Sequence, residues 1–491
     1  MNSIDIVLVK PGAQKKLYGE LSAFSLTAIE PPFWAALLAA VLLQKGYSVE
    51  LIDAEVMNWT PAETAEKIQG LNPLLVAIMV SGTNPSASTM NMSGAHSILE
   101  CLNEIAPEIK TLLAGLHPSA LPRQTLRDEK VDFVCQGEGI KTLPSLIEAL
   151  RTRAGDFKID GLWYKVEGQI VSNPRPKLVA NLDQLPMPSW HLLPMDKYRA
   201  HNWHCFDDIN DRQPYGVIYT SLGCPFQCSF CCINALFGKP GIRLRSPERV
   251  IEEIDFLVSK FNIRNIKIID EMFAYKESHI SQICSLIQER GYDLNIWAYA
   301  RVNTVTAKML SWLKKGGVNW LAYGFESASK KVLKDVSKGF DVDTVDQVVQ
   351  MTRDAGIYIC ANYMFGLPED DHETMRATLD KAKEINAEWA NFQATMAYPG
   401  SKLYDTAVDQ RLPLPETWEG FSQYSYETLP LPTNYLAAAE VLTFRDAAFN
   451  EYYSAPFYLN MIEKQFGSQV VEHVQQMTSH KIVRKHQIQP G

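Results

Sequence analysis

The sequence has no apolar run long enough to cross a membrane. The longest such run, residues 33–43, ends at Gln44-Lys45-Gly46, short of the roughly 20 residues that a membrane-spanning helix needs. The first residues show no charged stretch followed by an apolar one, so we expect no signal peptide. The nine cysteines form no regular framework, which argues against a disulfide scaffold and predicts a reducing, cytoplasmic compartment.

An excess of positive charge is also missing. The formal net charge is -9, which argues against a nucleic-acid partner because phosphate binding needs a basic surface. We find no tandem repeats and no low-complexity tract. Hydrophobic residues make up 46% and charged residues 21% of the chain, which is typical of globular proteins. A length of 491 residues exceeds what one hydrophobic core usually supports, so several domains are expected.

The first 150 residues alternate between predicted strands and predicted helices. Short apolar runs that suit strands lie at 4–9, 48–53, 74–80, 110–114 and 131–135. This alternation predicts an α/β domain over residues 1–150, with a doubly wound, Rossmann-like parallel sheet. Ligands of such sheets bind beyond the carboxyl ends of the strands. A crevice is therefore expected around residues 81–85, 115–119 and 137–139.

The rest of the chain divides into three further parts. Residues 151–205 contain a predicted hairpin and many prolines, which suggests a connector on the surface of its neighbours. Residues 206–405 show six strand–helix units and predict a partial (β/α)6 barrel with its active groups on the loops after the strands. Those strands are expected at 216–221, 263–269, 295–300, 320–325, 357–365 and 391–396. Residues 406–491 are rich in aromatics and predict a mostly helical cap.

Three cysteines, Cys224, Cys228 and Cys231, stand in the segment Cys-Pro-Phe-Gln-Cys-Ser-Phe-Cys. Their spacing suits three corners of a 4Fe-4S cluster whose fourth iron stays open to a small molecule. A structural zinc site would need four ligands, and a second cysteine pair is missing downstream. A disulfide conflicts with the predicted compartment, and a chance grouping is the last alternative. The aromatic ring of Phe230 is expected to stack on a ligand base.

This segment resembles the signature of the radical S-adenosylmethionine (SAM) superfamily, CxxxCx-aromatic-C after the first strand of a partial barrel. Further matching segments follow the later strands, at 269–273, 301, 324–327, 366–369 and 398–404. The resemblance implies that the three cysteines hold the cluster and that SAM chelates its open iron. One electron from an external reductant, such as flavodoxin or ferredoxin, then cleaves SAM to methionine and a 5′-deoxyadenosyl radical.

The resemblance also implies contacts to SAM. Glu326 is expected to pair with the SAM ammonium and Arg301 with its carboxylate, because a planar guanidinium suits that group. Ser327 and Asp270 are expected at the methionyl or ribose part, and the backbone near Gly366 at the adenine. Each residue has an alternative: a salt bridge at the barrel mouth for Glu326 or Arg301, a helix cap for Asp270 and a simple turn for Gly366.

The N-terminal domain resembles the cobalamin-binding domain that precedes the barrel in one large branch of this superfamily. The matching segments are 31–37, 46–53, 115–119 and 131–139. The motif Asp-x-His-x-x-Gly, which supplies a histidine to cobalt in other cobalamin proteins, is absent. No histidine is therefore expected to ligate cobalt from below. An emptied or purely structural domain is the alternative.

The same resemblance implies two groups of cobalamin contacts. Ser81, Gly82, Thr83 and Asn84 are expected to face the corrin ring. The nucleotide tail is expected to lie against a second group of residues, namely Gly115, His117, Ser119, Gly137 and Gly139. For His117, a packed or hydrogen-bonded loop residue is the competing interpretation.

This branch implies methyl transfer to an unactivated carbon of a small, natural-product or sugar-like substrate. The substrate is expected in a cavity between the two cofactor domains, closed by the C-terminal cap. A non-methylating dehydratase, lyase or cyclase that acts on a sugar or aminoglycoside-type substrate is the alternative. A carrier that only moves electrons or methyl groups is a third possibility.

Overall fold

The computed structural model describes residues 4–19, 27–82, 87–153 and 156–488. The strands are β1 Ile6–Lys10, β2 Val49–Asp53, β3 Leu75–Val80, β4 Lys110–Gly115, β5 Phe133–Cys135, β6 Leu162–Val166, β7 Gln169–Ser172, β8 Tyr215–Ile218, β9 Ser221–Leu222, β10 Arg243–Leu244, β11 Asn265–Ile268, β12 Asn295–Ala300, β13 Val318–Glu326, β14 Tyr358–Phe365 and β15 Trp389–Ala394.

The helices alternate with these strands and then continue alone to the C-terminal part of the chain. They are α1 Gln14–Tyr18, α2 Phe33–Gln44, α3 Pro61–Leu71, α4 Ala87–Ile105, α5 Leu116–Ala120, α6 Pro122–Asp128, α7 Thr142–Arg151, α8 Asn234–Phe237, α9 Pro247–Phe261, α10 Glu277–Arg290, α11 Ala307–Lys315, α12 Lys330–Asp335, α13 Val345–Asp354, α14 His372–Ile385, α15 Lys402–Asp409, α16 Ala438–Tyr453, α17 Pro456–Phe466 and α18 Ser468–Ser479.

The first sheet confirms the predicted doubly wound architecture. Its strand order is β2-β1-β3-β4-β5-β6-β7, and β1 to β5 are parallel. The strand order reverses between β1 and β3, which is where ligands of such sheets bind. The hairpin β6–β7, predicted as part of the connector, instead pairs antiparallel with β5 and extends this sheet.

Helix α2 lies between the first sheet and the barrel. All ten residues from Phe33 to Leu42 are buried, as expected of a helix that is apolar on every side. The Phe33 ring packs edge-on against Tyr219 at the end of β8, with centroids 4.8 Å apart. Residues of β1, α2 and the barrel strands belong to one continuous apolar core. The other face of the sheet is covered by α3 and α4.

The second sheet confirms the predicted partial barrel. Six parallel strands follow the order β15-β14-β13-β12-β11-β8, so the first and last strands of the barrel form its two edges. The short helical turn Trp203–Cys205 lies at the amino-terminal ends of these strands, where His204 Nε2 lies 3.1 Å from the carbonyl oxygen of Asn295. The carboxyl ends of the strands carry the cysteine loop.

The C-terminal helices pack against β14 and β15, as a cap should. The Tyr453 hydroxyl donates a hydrogen bond to the Ala390 carbonyl at 2.7 Å. Gly366, just after β14, lies directly under Val441 of α16. Within the described ranges, no helix has both the length and the apolar character required to traverse a lipid bilayer.

Candidate active site

The cysteine loop begins directly after β9. Gly223 has φ 93° and a Cβ there would lie 2.5 Å from the Gly241 carbonyl oxygen, so only glycine fits this turn. The Gly241 amide donates to the Cys224 carbonyl, and the Cys231 amide to the Cys228 carbonyl, both at 3.0 Å. The three cysteines are thus held on one tight loop, and each is partly buried.

Two cations lie beside this loop. Arg301 Nη1 lies 3.3 Å from Cys228 Sγ, and its guanidinium stacks 3.8 Å from the ring centroid of Phe226. Lys338 Nζ lies 5.6 Å from the centroid of the Phe230 ring. Positive charge near a cysteine favours the thiolate, which is the form that binds metal. Phe230 also packs with apolar residues of the barrel, and its predicted contact with a ligand base stays a prediction.

The thiols fit a cluster better than a single metal ion. A structural zinc site needs four protein ligands, and the cysteine loop supplies three thiols. In the absence of iron, burial raises the pKa of Cys224 to about 11 and that of Cys231 to about 12. Three cysteines on one loop are the donor set of an iron–sulfur cluster, and cluster binding would deprotonate them.

Asp270, at the end of β11, binds the residues that lie between β8 and the cysteine loop. Its carboxylate accepts hydrogen bonds from the Thr220 amide and from the hydroxyls of Thr220 and Ser221, each at 2.6 Å. Burial raises the pKa of Asp270 to about 6. The next helix, α10, starts at Glu277 after Lys276, so Asp270 does not cap it. A contact between Asp270 and SAM stays a prediction.

Glu271 is a site residue that sequence analysis missed. Its carboxylate accepts hydrogen bonds from the Gly223 amide at 3.0 Å and from the Tyr219 hydroxyl at 3.3 Å. It thereby fixes the first residue of the cysteine loop. Burial raises the pKa of Glu271 to about 7. Its place directly after Asp270, at the end of a barrel strand, was the available signal.

Glu326 ends β13 in a strained conformation. Its φ of 63° lies in the left-handed region, and the pairing of β13 with β14 is irregular there. Such strain costs about 1–3 kcal/mol and is often found at functional sites. The carboxylate lies 2.6 Å from Lys338 Nζ, and both side chains are less than one-tenth exposed. Glu326 therefore forms a salt bridge here, and its predicted contact with the SAM ammonium stays a prediction.

Ser327 and Gly366 lie at the same end of the barrel. The Ser327 hydroxyl lies 3.2 Å from the Thr378 hydroxyl. Gly366 has φ 81°, and a Cβ there would lie 2.4 Å from Val441. Its amide donates to the Asp370 carboxylate at 3.1 Å. Gly366 is thus required by the turn and by the cap, and the adenine contact predicted for its neighbours stays a prediction.

A cavity of about 670 Å³ lies between the first domain and the barrel lumen. Lys10 and Ser81, at the ends of β1 and β3, form part of one wall, and Lys267, Tyr299 and Asn362 on barrel strands form part of the other. Residues of the cap contribute as well. The volume falls within the roughly 300–1,000 Å³ usual for small-molecule sites.

A buried ion pair joins the two walls. Lys267 Nζ lies 3.1 and 3.4 Å from the carboxylate oxygens of Glu30. The Lys10 ammonium donates to the Glu30 carbonyl at 2.8 Å and lies 2.6 Å from Glu55 Oε2. Sequence analysis singled out neither member. The available signal was a lysine at an inward position of an otherwise apolar strand, Ile-Lys-Ile-Ile.

Two of the residues predicted to face the corrin ring, Ser81 and Gly82, follow β3 at the point where the strand order reverses. Ser81 and Gly82 line the cavity there. Thr83 and Asn84 lie outside the described residues. A ligand in the cavity would therefore meet the end of β3, as the fold leads one to expect.

The loops predicted to hold the nucleotide tail are connected by hydrogen bonds. The Ser119 hydroxyl donates to the Gly115 carbonyl at 2.6 Å and accepts from the Gly137 amide at 2.9 Å. Gly115 has φ 122°, and a Cβ there would lie 2.1 Å from the Val80 carbonyl oxygen. Gly139 has φ 78°. The structure brings these residues together, and their contact with a nucleotide tail stays a prediction.

His117 is fully buried at the start of α5. Its amide donates to the Ser88 hydroxyl at 2.9 Å, and its Nδ1 lies 3.2 Å from the Thr89 hydroxyl. The ring packs edge-on against Trp418, with centroids 4.8 Å apart. Its Nε2 has no hydrogen-bond partner among the residues seen in the structure. A buried polar atom of this kind is uncommon and fits a polar group of a bound cofactor.

Replacing His117 with phenylalanine should flatten the acid dependence of stability. Burial lowers the pKa of His117 to about 3 in the folded protein. Below about pH 6.5 the imidazole of the unfolded chain therefore binds a proton, whereas the buried imidazole stays neutral. The penalty appears as pH falls below 6.5 and reaches about 2–3 kcal/mol near pH 4.5. The measurement is the difference in melting temperature between about pH 6.5 and pH 4.5, compared between the cofactor-free native protein and the His117→Phe variant. Replacement of the exposed His191 is the control, and an unchanged pH dependence in His117→Phe would contradict the prediction.

Two family models match the chain. The model described as B12 binding domain matches residues 22–147, and the model described as Radical SAM superfamily matches residues 218–382. The first match begins after β1 and covers the parallel strands β2 to β5. The second starts at the end of β8 and includes the cysteine loop and four further barrel strands.

Curated relatives are similar to this chain over most of its length. An uncharacterized methyltransferase of Pyrococcus horikoshii is 32% identical over 394 residues, which cover 80% of this chain and 82% of the relative. The anaerobic magnesium-protoporphyrin IX monomethyl ester cyclase of Rubrivivax gelatinosus is 26% identical over 388 residues, which cover 77% of this chain and 67% of the relative.

Solved structures also match this chain over nearly its whole length, and one of them has both cofactors bound. It is the radical SAM methyltransferase TsrM from Kitasatospora setae with cobalamin and a [4Fe-4S] cluster bound. The TM-score is 0.69 at 16% identity, and the match covers 98% of this chain and all of the TsrM chain. At that identity the likeness shows a shared fold.

Proposed function

Because the chain belongs to the radical SAM enzymes that carry a cobalamin-binding domain, we propose that it transfers a methyl group to an unactivated carbon of a small molecule. The observation that carries this proposal is the 670 Å³ cavity, whose two walls come from the cobalamin-binding domain and from the barrel. A substrate in that cavity meets both domains at once.

Membership in this family confirms the predicted cofactors, which are a 4Fe-4S cluster, SAM and cobalamin. When bound, the cluster and SAM supply hydrogen-atom abstraction, and cobalamin supplies the methyl group. We infer that Cys224, Cys228 and Cys231 hold the cluster, because they supply three closely spaced thiolate donors on one loop. Aromatic side chains such as Trp297 and Tyr299 line part of the cavity, and an apolar lining limits the contact of a reactive radical with water.

Residues near the cysteine loop have positioning roles in this proposal. Asp270 and Glu271 fix the loop through backbone and hydroxyl hydrogen bonds. Lys338 links Glu326 and Arg301 near the same loop. The Lys338 ammonium donates a hydrogen bond to the Glu326 carboxylate, and the Arg301 guanidinium donates one to the Lys338 carbonyl. We infer that Glu326 and Arg301 orient the two charged ends of SAM.

The proposal includes the setting of the reaction. An external one-electron reductant such as flavodoxin or ferredoxin would supply the electron, and a cytoplasmic, reducing compartment would keep the cluster cysteines available. The support is that a reducing compartment keeps the thiols of a cluster site from forming disulfides.

Cobalamin loading and methyl labelling test this proposal without knowledge of the substrate. The protein is reconstituted anaerobically with iron, sulfide and cobalamin, desalted, and incubated with a reductant and SAM that carries a deuterated methyl group. We expect a retained corrinoid spectrum, deuterium in the corrinoid, and release of 5′-deoxyadenosine. Loss of the corrinoid on desalting, or an unlabelled corrinoid, would overturn the methyltransferase proposal.

A radical cyclase or dehydratase is the second candidate. The observation that favours it is the similarity to the magnesium-protoporphyrin IX monomethyl ester cyclase, which extends over most of both chains. This candidate predicts 5′-deoxyadenosine release with no deuterium transferred to the corrinoid. A carrier protein would release no 5′-deoxyadenosine, so the same experiment separates all three possibilities.

A further inference from the structure

The ion pair between Glu30 and Lys267 lies in the wall of the cavity and spans two domains. Glu30 comes from the segment before α2, and Lys267 from barrel strand β11. Their side chains are 9% and 2% exposed. The Glu30 carbonyl is held by Lys10 at 2.8 Å, so the first domain positions this carboxylate from behind.

The pair is poorly explained by stability alone. Removal of two charges from water is costly, and well-packed apolar residues in place of a buried pair are often neutral or stabilising. The surroundings suit such a replacement, because Lys267 Nζ lies 4.5 Å from the centroid of Trp297 and 5.8 Å from that of Tyr299. A role toward a ligand in the cavity explains why charged groups stand among these rings.

The pair has a specific ligand preference because its charges cancel. A carboxylate near Lys267 would be repelled by Glu30, and an ammonium near Glu30 would be repelled by Lys267. A hydroxyl group avoids both penalties, since it can donate to the carboxylate and accept from the ammonium. The next cation, Lys10, is itself neutralised by Glu55 at 2.6 Å.

The remaining wall suits a ring compound. Aromatic faces of Trp297 and Tyr299 adjoin the pair, and Asn362 and Asn391 line the barrel side. The Asn391 amide donates to the Asn362 side-chain oxygen at 2.9 Å, so these amides have a fixed orientation. Flat aromatic surface and oriented amides recognise the apolar face and the polar edge of a ring.

We propose that Glu30 and Lys267 anchor the substrate through a neutral hydroxyl group on a ring compound and select against carboxylates and amines. This inference rests on the proposed function, in that the cavity holds the substrate. It adds the chemical class of that substrate and two specificity-determining residues.

The test uses three ring probes of one size, bound to the full-length protein loaded with the cluster and cobalamin. The probes are cis-1,2-cyclohexanediol, cyclohexanecarboxylate and cyclohexylamine, and their dissociation constants are measured by ligand-observed NMR. The native protein should bind the diol at least about tenfold more tightly than either charged probe, since like charges in a buried site repel strongly. Equal binding of all three probes would overturn the proposal.

Charge-altering variants make the test specific. Glu30→Gln leaves the Lys267 charge and should shift preference to cyclohexanecarboxylate, whereas Lys267→Met leaves the Glu30 charge and should shift it to cyclohexylamine. General damage to the fold cannot produce opposite shifts. If either single variant fails to fold, the neutral double variant should still fold and should bind the diol about tenfold more weakly, because the charge-assisted hydrogen bonds to the hydroxyl groups are lost. A double variant that keeps the native affinity for the diol would overturn the assignment.

A buried pair outside the cavity provides the matched control. Glu253 pairs with Arg245 and accepts a hydrogen bond from Trp190 at 3.0 Å. Glu253→Gln should therefore leave the order of the three probes unchanged. Probe binding does not require methyl transfer, so failure of the labelling experiment and failure of this inference are separate outcomes.

Discussion

Replacement of Cys224, Cys228 and Cys231 together with alanine is expected to abolish both iron binding and release of 5′-deoxyadenosine. Iron should fall from about four atoms per chain to background, because no other group of potential ligands in the described chain could replace the three thiols. Each of the three cysteines is only partly buried as a residue, and truncation to alanine removes a single sulfur atom, so each replacement should change the stability of the cluster-free protein by only about 1 kcal/mol. The loss of activity is therefore a loss of the cluster and not of the fold.

Iron analysis, the visible spectrum and 5′-deoxyadenosine assays provide the measurements. Cys101→Ala is the control, because this half-buried cysteine lies on α4 of the first domain and should leave the iron content unchanged. A triple variant that still holds iron, or a native protein that holds stoichiometric zinc, would contradict the cluster assignment.

The second large effect concerns the buried pair Glu326–Lys338. Lys338→Met should destabilise the protein by about 3–5 kcal/mol, because it leaves the Glu326 carboxylate charged and unpaired in a buried site. The double variant Glu326→Gln/Lys338→Met should recover most of that loss, since no uncompensated charge remains. Thermal unfolding of the cluster-free proteins measures both effects.

Binding of SAM separates the two interpretations of Glu326. If its carboxylate contacts the SAM ammonium, the stable double variant should bind SAM about 10- to 100-fold more weakly, as expected for loss of one charged hydrogen bond. Native SAM affinity in the double variant would show that the pair is only structural. The exposed pair Lys330–Asp343, with both side chains more than 60% exposed, provides a control: Lys330→Met should change stability by at most about 0.5 kcal/mol.

Local patterns were sufficient to predict both sheets. The strand predicted at 295–300 is β12, Asn295–Ala300, and the cysteine loop lies after the first barrel strands as expected. These features depend on apolar runs, glycine turns and motif spacing, which involve neighbours in sequence. The hairpin β6–β7 was also predicted, but its pairing with β5 was not, because the hairpin itself does not identify the strand beside it.

The contacts that shape the cavity could not be predicted in the same way. Glu30 and Lys267 are 237 positions apart, and their contact depends on how the first domain sits against the barrel. Likewise, Glu326 was assigned to SAM with no knowledge of Lys338, whose ammonium reaches it only through the turn after α12. Such pairs are determined by tertiary packing, which one sequence does not reveal.

Helix α2 makes the first domain inseparable from the rest of the chain. Its apolar surface contributes to the packing of the β1 side and of the barrel at once, so neither part has a complete interior by itself. A fragment cut near residue 150 would present Phe33, Trp34 and Leu37 to water and would tend to aggregate. Transfer of the cobalamin-binding domain into another protein would therefore require a redesign of the exposed apolar surface of α2.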